Sequence, residues 1–316
     1  MIQTPTHLVN VSRRNALKRL SQQSLAGWVA LGAGSGLSVL PALAQGVNSS
    51  SKSTERLVSL GGGITEMVYA IGAESMLVGT DTTSSFPEAA QKTPKVGYLR
   101  QLSAEGLLAL RPTALVASGE AGPPVVLDQL RSAGVRVELV ATDHTWQEVQ
   151  RKFMAVGKAA RMENKAQALW QTLNAQWLEQ QAKIAAAVRG RKTPKVLFIL
   201  AHTGTPMVAG AGTAADAVIR FMGAQNAMAS MQGYKPLTAE AMAAAAPDTI
   251  LTTTQGVEAM GGAEKLWARP EMQLTPAWKR RQSAQALVAR DALELIGFGP
   301  RMPALIQSLH DQIVRS

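Results

Sequence analysis

The sequence predicts an α/β protein of two lobes joined by a long linker helix, with a ligand cleft between the lobes. Three observations predict it. Short β-type apolar runs alternate with helical periods along most of the chain, a proline-free stretch from Trp146 to Val188 interrupts them, and a block before that stretch is echoed by one after it. Alternation of this kind implies parallel sheets covered by helices.

The first 44 residues stand apart. Ser12-Arg13-Arg14-Asn15-Ala16-Leu17-Lys18 is a twin-arginine run, a modestly apolar stretch follows from Leu25 to Val39, and Pro41-Ala42-Leu43-Ala44 supplies small residues for a signal peptidase. Residues 1–44 are therefore expected to be an export address, cleaved near Ala44 and excluded from the fold. Ala16 replaces the bulky apolar residue usual in twin-arginine signals, so general secretion is the alternative route. The address carries four of the 32 basic side chains and no acid, leaving 28 basic against 22 acidic residues, a net +6 rather than +10. That modest excess suits anionic small ligands as well as nucleic acid and argues for neither. Cysteine is absent. The expectation is a protein without disulfides or a lipid-modified cysteine, free in the periplasm and held together by its core alone.

Residues 45–55 read as a polar leader. The N-terminal lobe is placed at 56–145: Arg56–Leu60 reads as a strand and Ile64, Met67, Val68 and Ile71 as a helical stripe. Met76–Gly79 is a second strand, Ala114–Ala117 a third, Val125–Ala133 a helix and Val135–Val140 a fourth strand. Residues 146–190 form the linker, one long helix or two broken near Met162-Glu163-Asn164, with apolar residues at helical spacing such as Phe153, Val156, Leu169 and Trp177. The C-terminal lobe is placed at 191–316, with Lys195–Leu200, Ala214–Met222, Thr249–Thr252 and a final helix over Ala304–Val314.

The echo carries most weight. Ser103-Ala-Glu-Gly-Leu-Leu-Ala-Leu-Arg-Pro112 precedes the apolar run Ala114–Ala117, and Thr238-Ala-Glu-Ala-Met-Ala-Ala-Ala-Ala-Pro247 precedes Thr249–Thr252. A hydroxyl N-cap, a short helix, a proline stop and a strand thus occur twice. A tyrosine, Tyr98 or Tyr234, stands just upstream each time. Two Rossmann-like α/β lobes follow, and the space between them is a favoured place for a ligand.

Tyr98 and Arg100 form the first candidate site. An ionised phenol is a hard oxygen donor of the kind ferric iron favours, tyrosine serves as an axial ligand of haem iron, and a nearby guanidinium favours the ionised form. The same tyrosine could equally pack a loop against the sheet. His202 follows the apolar strand Val196–Leu200, at the strand end where open sheets place ligands, and could equally be a loop histidine. Glu105 and Glu240 occupy equivalent places near two helix N-termini, where a carboxylate complements the helix dipole. Lys235, Arg100 and Arg290 are candidates for ligand carboxylates. Met207, Met228, Met231 and Met260 could pad a flat apolar ligand or simply fill the core. No histidines and acids have metal-ligand spacing, so a bare-metal site is not expected.

The runs Tyr98-x-Arg100-Gln-Leu-Ser-Ala-Glu105-Gly, Arg56–Glu66, Gly210–Asn226 and Gly233-Tyr234-Lys235-Pro236-Leu237 resemble the haem-binding members of the class III periplasmic binding proteins, over residues 56 to about 310. The resemblance implies a non-enzymatic, monomeric capture protein for haem. Tyr98 would be the axial ligand and so the metal-binding residue. Arg100 would hydrogen-bond near it, with Lys235, Tyr234 and His202 as supporting residues. It further implies that Glu105 and Glu240 dock against arginines of an inner-membrane ABC permease whose ATPase is a separate chain.

Two readings come second. Gly210-Ala-Gly212-Thr-Ala-Ala215 matches a permissive dinucleotide fingerprint but lacks the acid about 20 residues on, and no Walker motif or Gly-x-Ser-x-Gly elbow is present, which speaks against an enzyme. Within binding proteins, a ferric siderophore or a corrinoid is the alternative cargo, because the fold does not dictate the ligand. A haem-transfer factor without a permease would leave the paired glutamates unexplained.

Overall fold

The structure, a computed structural model, describes residues 55–202 and 205–315. The expected export address and most of the expected leader lie outside the described residues. Glu55, the last residue of that leader, is buried: it accepts from Thr113 and pairs with Arg136 and Arg161.

In the first lobe four strands, β1 (Leu57–Leu60), β2 (Leu77–Thr80), β3 (Ala114–Ser118) and β4 (Arg136–Val140), form an all-parallel sheet ordered β2-β1-β3-β4. Their central members are apolar except for Ser59 and Ser118, as strands buried on both faces lead one to expect. Three helices, α1 (Gly62–Ala70), α2 (Ala104–Ala109) and α3 (Pro124–Ser132), make the crossovers.

The linker is two helices rather than one. α4 (Trp146–Ala160) ends where Arg161 takes a left-handed conformation, and α5 (Glu163–Val188) turns back along it. Trp146 stacks on Trp177 and donates to Asn174, so the pair is an antiparallel hairpin. α4 packs on β3, β4 and α1 and thus belongs with the first lobe, while α5 alone makes the crossing. At 1.5 Å per residue its 26 residues span about 39 Å.

The second lobe holds β5 (Lys195–Leu200), β6 (Met207–Ala209), α6 (Ala214–Phe221), β7 (Gln225–Asn226), β8 (Tyr234–Pro236), α7 (Ala239–Ala245) and β9 (Thr249–Thr253). Four short helices follow, α8 (Thr254–Ala259), α9 (Ala263–Ala268), α10 (Pro270–Gln273) and α11 (Pro276–Lys279). The chain then runs through β10 (Leu287–Arg290), α12 (Ala292–Ile296) and α13 (Met302–Leu309), which runs into one turn of π-helix.

The sequence echo is a structural repeat. α2 and α7 are capped by Ser103 and Thr238, and each ends at a left-handed residue immediately before its proline, Arg111 and Ala246. β3 and β9 follow as the third strand of the parallel arrays β2-β1-β3-β4 and β7-β5-β9-β10. The second sheet is nevertheless mixed, because β6 and β8 add an antiparallel edge to its parallel array. The link from β5 to β6 is too short for a parallel crossover, so the chain reverses as a hairpin.

Each lobe has an outer core of its own, between the sheet and α2–α3 in one and around β9, α7 and α10 in the other. A third core is shared. It runs from Leu57 and Ile64 through Phe153, Trp170 and Trp177 of the linker to Phe198, Leu305 and Ile306. No described helix is long and apolar enough to cross a membrane.

Candidate ligand cleft

A cleft of about 620 Å³ opens where the parallel strands of both sheets end, within the range of small-molecule sites. Gly61 follows β1, Thr82 follows β2, Glu120 follows β3 and Thr142 follows β4; from the second lobe, His202 follows β5 and Asp291 follows β10. Ligands collect at the carboxyl ends of open sheets for this reason: the connecting loops converge there. Apolar lining comes from Ile64, Leu99, Leu200, Leu293 and Ile296.

Tyr98 is held by its neighbours. Residues 94–97 run beside the end of β2, with Val96 donating to Thr80 and Gly97 accepting from Thr82. Gly97 then adopts φ +95°, a conformation that favours glycine, and a turn closes from Gln101 N–H to the Tyr98 carbonyl at 2.8 Å. Leu99 and Leu102 are buried as anchors on either side. The Tyr98 ring is left on the cleft wall at 38% exposure.

Arg100 donates to the Tyr98 phenol oxygen through one guanidinium nitrogen and pairs with Glu120 through the other, at 2.6 Å. Partial burial works against the arginine charge. The hydrogen bond and charge of Glu120, with a contribution from Tyr98, outweigh it and leave the guanidinium above its ordinary range. The expected pair of Tyr98 and Arg100 is thus a triad with Glu120.

His202 lines the same cleft from the second lobe, exposed at the end of β5. Tyr234 and Lys235 do not line it. Tyr234 is half-buried at the start of β8; burial first, then the Glu120 charge, pushes its phenol up, against a hydrogen bond with Thr213. Lys235 is exposed on that edge strand. Arg290 donates to Ser308 and Gln312, outside the lining. The four methionines also lie off the cleft; Met228, Met231 and Met260 belong to the outer core of the second lobe. Glu105 and Glu240 are exposed at the second position of α2 and α7, on the two halves of the repeat.

Several lining residues escaped the sequence reading. His144 lines the cleft with its ring tilted against Phe298 at 5.5 Å. Lys152 and Glu148 form a buried ion pair at 2.7 Å in the lining, and Lys152 also donates to the Gly297 and Phe298 carbonyls. Burial pulls the Lys152 ammonium below its ordinary range, with Glu148 opposing. The rule that singled out His202, position just after a strand, also finds Glu120 and Asp291. Among the described residues, no group of three or more histidines and acids is placed to hold a metal ion.

The profile of the periplasmic binding protein family matches residues 57–284. The periplasmic heme-binding protein BhuT in complex with two hemes is 45% identical, with a TM-score of 0.76 over 82% of this chain and 97% of that one. The apo form of the periplasmic heme-binding protein RhuT from Roseiflexus sp. RS-1 is 35% identical, with a TM-score of 0.75 over 82% and 97%. By sequence alone, the chain spans about two thirds or less of the length of the relatives it matches. One of them, a vitamin B12-binding protein of Yersinia pestis (strain Pestoides F), is 33% identical over 87 residues, 28% of this chain and 31% of that protein.

Proposed function

The chain belongs to the periplasmic binding protein family, whose members are substrate-binding proteins and not enzymes, and from that premise we propose that it captures haem in the periplasm for an inner-membrane ABC permease. One observation carries the cargo: a tyrosine on the cleft wall with a guanidinium on its phenol oxygen. Phenolate oxygen suits ferric iron, and a cation at the oxygen favours the ligating form. His202 offers a second donor from the other lobe, and the apolar lining suits the faces of a macrocycle. The heme-binding character of BhuT and RhuT, at 45% and 35% identity, supports the same cargo.

Glu105 and Glu240 present one carboxylate on each half of the repeat to the permease, whose ATPase is a separate chain. Matched charges of this kind favour reversible, salt-sensitive docking. Export of a monomer through the twin-arginine segment and cleavage near Ala44 complete the reading.

Titration of the purified mature protein with ferric haem, read by absorption, tests the proposal. A tyrosinate-type spectrum and saturable binding at micromolar concentration or below are expected, with loss of both in Tyr98→Ala. An unchanged spectrum and affinity in that variant would remove Tyr98 as ligand. The match to a vitamin B12-binding protein favours a corrinoid as second reading; cobalamin binding in place of haem would establish it. Charge reversal at both Glu105 and Glu240 should leave the haem spectrum intact while stopping uptake by cells.

A further inference from the structure

Among the described residues, every cation that lines the cleft is already in an ion pair. Arg100 is shared between the Tyr98 phenol and Glu120, the latter at 2.6 Å. Lys152 is buried against Glu148 at 2.7 Å, and its ammonium also donates to two backbone carbonyls. The lining acids are Glu120, Glu148 and Asp291, so three carboxylates face two cations. Asp291 in turn caps α12 and accepts from Gln255. The other basic residues proposed from sequence, Lys235 and Arg290, lie outside the lining.

A ligand carboxylate reaching Arg100 would have to displace Glu120 and leave that carboxylate without its partner, or share the guanidinium with it and set two like charges side by side. Reaching Lys152 would mean breaking a buried pair and leaving the Glu148 charge buried without its partner. Exchange of one carboxylate for another gains nothing to offset either cost. Carboxylates left in water at the mouth keep their hydration.

Resting on the haem reading, we infer that the cleft recognises its ligand through the iron and the apolar faces of the macrocycle, and makes no ion pair with the peripheral carboxylates. Its ligand class is then the ferric tetrapyrroles, whether their carboxylates are free or esterified. Glu120 is the residue that imposes this: it commits Arg100 to the phenol.

Equilibrium titration of the mature protein with three compounds in one solvent tests the inference: ferric protoporphyrin IX, its dimethyl ester, and iron-free protoporphyrin IX. The ester should bind within about tenfold of the free acid, since tenfold corresponds to about 1.4 kcal/mol, the scale of one lost charged contact. The iron-free acid should bind about a hundredfold more weakly or worse. In Glu120→Gln, Arg100 is released and the free acid should gain about tenfold over the ester. An ester more than tenfold weaker in the wild type, or an iron-free acid that matches haem, overturns the inference. Failure of ferric protoporphyrin IX and its ester alike to bind is a different result and removes the haem reading itself.

Discussion

Glu55 shows how a single side chain can close a lobe. It is buried, yet three partners converge on it: the Thr113 hydroxyl, Arg136 at 2.7 Å and Arg161 at 2.6 Å. Burial alone would push its carboxyl up; the hydrogen bond from Thr113 and the two arginines outweigh it and hold the carboxyl below the ordinary range. A depressed folded value means that the contribution to stability is complete above the unfolded value and is lost as pH falls through the folded one. Both arginines are open to water, so Glu55→Gln should cost only about 1 kcal/mol at pH 7. That deficit should shrink as pH falls below the ordinary carboxylate range, read from urea midpoints at pH 7 and pH 3.5. A deficit independent of pH would mean the carboxylate charge is not what matters. At this scale the sequence was partly legible. Tyr98 and Arg100 are two residues apart, so their contact is local, whereas Glu120, Arg136 and Arg161 reach their partners through the fold, and spacing carries no trace of that.

Elements were legible in proportion to their length and period. The buried strands β1, β3, β5 and β9 and the helix α3 announce themselves as apolar runs or stripes, and the hydroxyl caps of α2 and α7 are plain in sequence. The two-residue β7 and three-residue β6 and β8 have no period to read; pairing with β5 and with each other defines them. A linker break at Met162-Glu163-Asn164 is one of the two readings the sequence allows, and the return of α5 along α4 depends on contacts that no local signal reports. Gly157 makes those contacts possible. Added at that position, a Cβ would sit 2.6 Å from the Ala166 Cβ and 3.3 Å from the Glu163 Cα. On an open helix Gly→Ala gains about 1 kcal/mol from propensity, while overpacking costs about 1–3 kcal/mol. Gly157→Ala should therefore destabilise by about 1–2 kcal/mol, and adding Ala166→Gly should recover most of the loss. Chemical denaturation of the two single variants and the double variant measures it; a stabilised Gly157→Ala would show that the helices separate readily.

At the scale of the whole molecule, two lobes and a cleft suggest independent units on a hinge, but the contacts argue otherwise. The shared core passes without interruption from β1 and α1 through the linker hairpin to β5 and α13. A second seam joins the lobes away from α5. Arg301 grips Glu66 with two bonds of 2.7 and 2.9 Å across 235 residues of sequence, and Lys152 reaches the Gly297 carbonyl at 3.0 Å. The whole should unfold as one. Hydrogen exchange in rising denaturant should expose β1 and β3 of one lobe and β5 and β9 of the other at the same concentration; an earlier loss confined to one lobe would separate them. Arg301→Met probes the seam directly. Burial already pushes the Glu66 carboxyl up, with Arg301 opposing and Asp291 and Glu294 adding to the rise. Without the arginine the burial cost is unopposed, so about 3 kcal/mol of stability should go at pH 8. A carboxyl whose folded value is raised stabilises below its unfolded value and loses that contribution as pH rises through the folded one. The variant's deficit should accordingly be largest at pH 8 and narrow toward pH 5, with both lobes still unfolding together because the shared core is untouched.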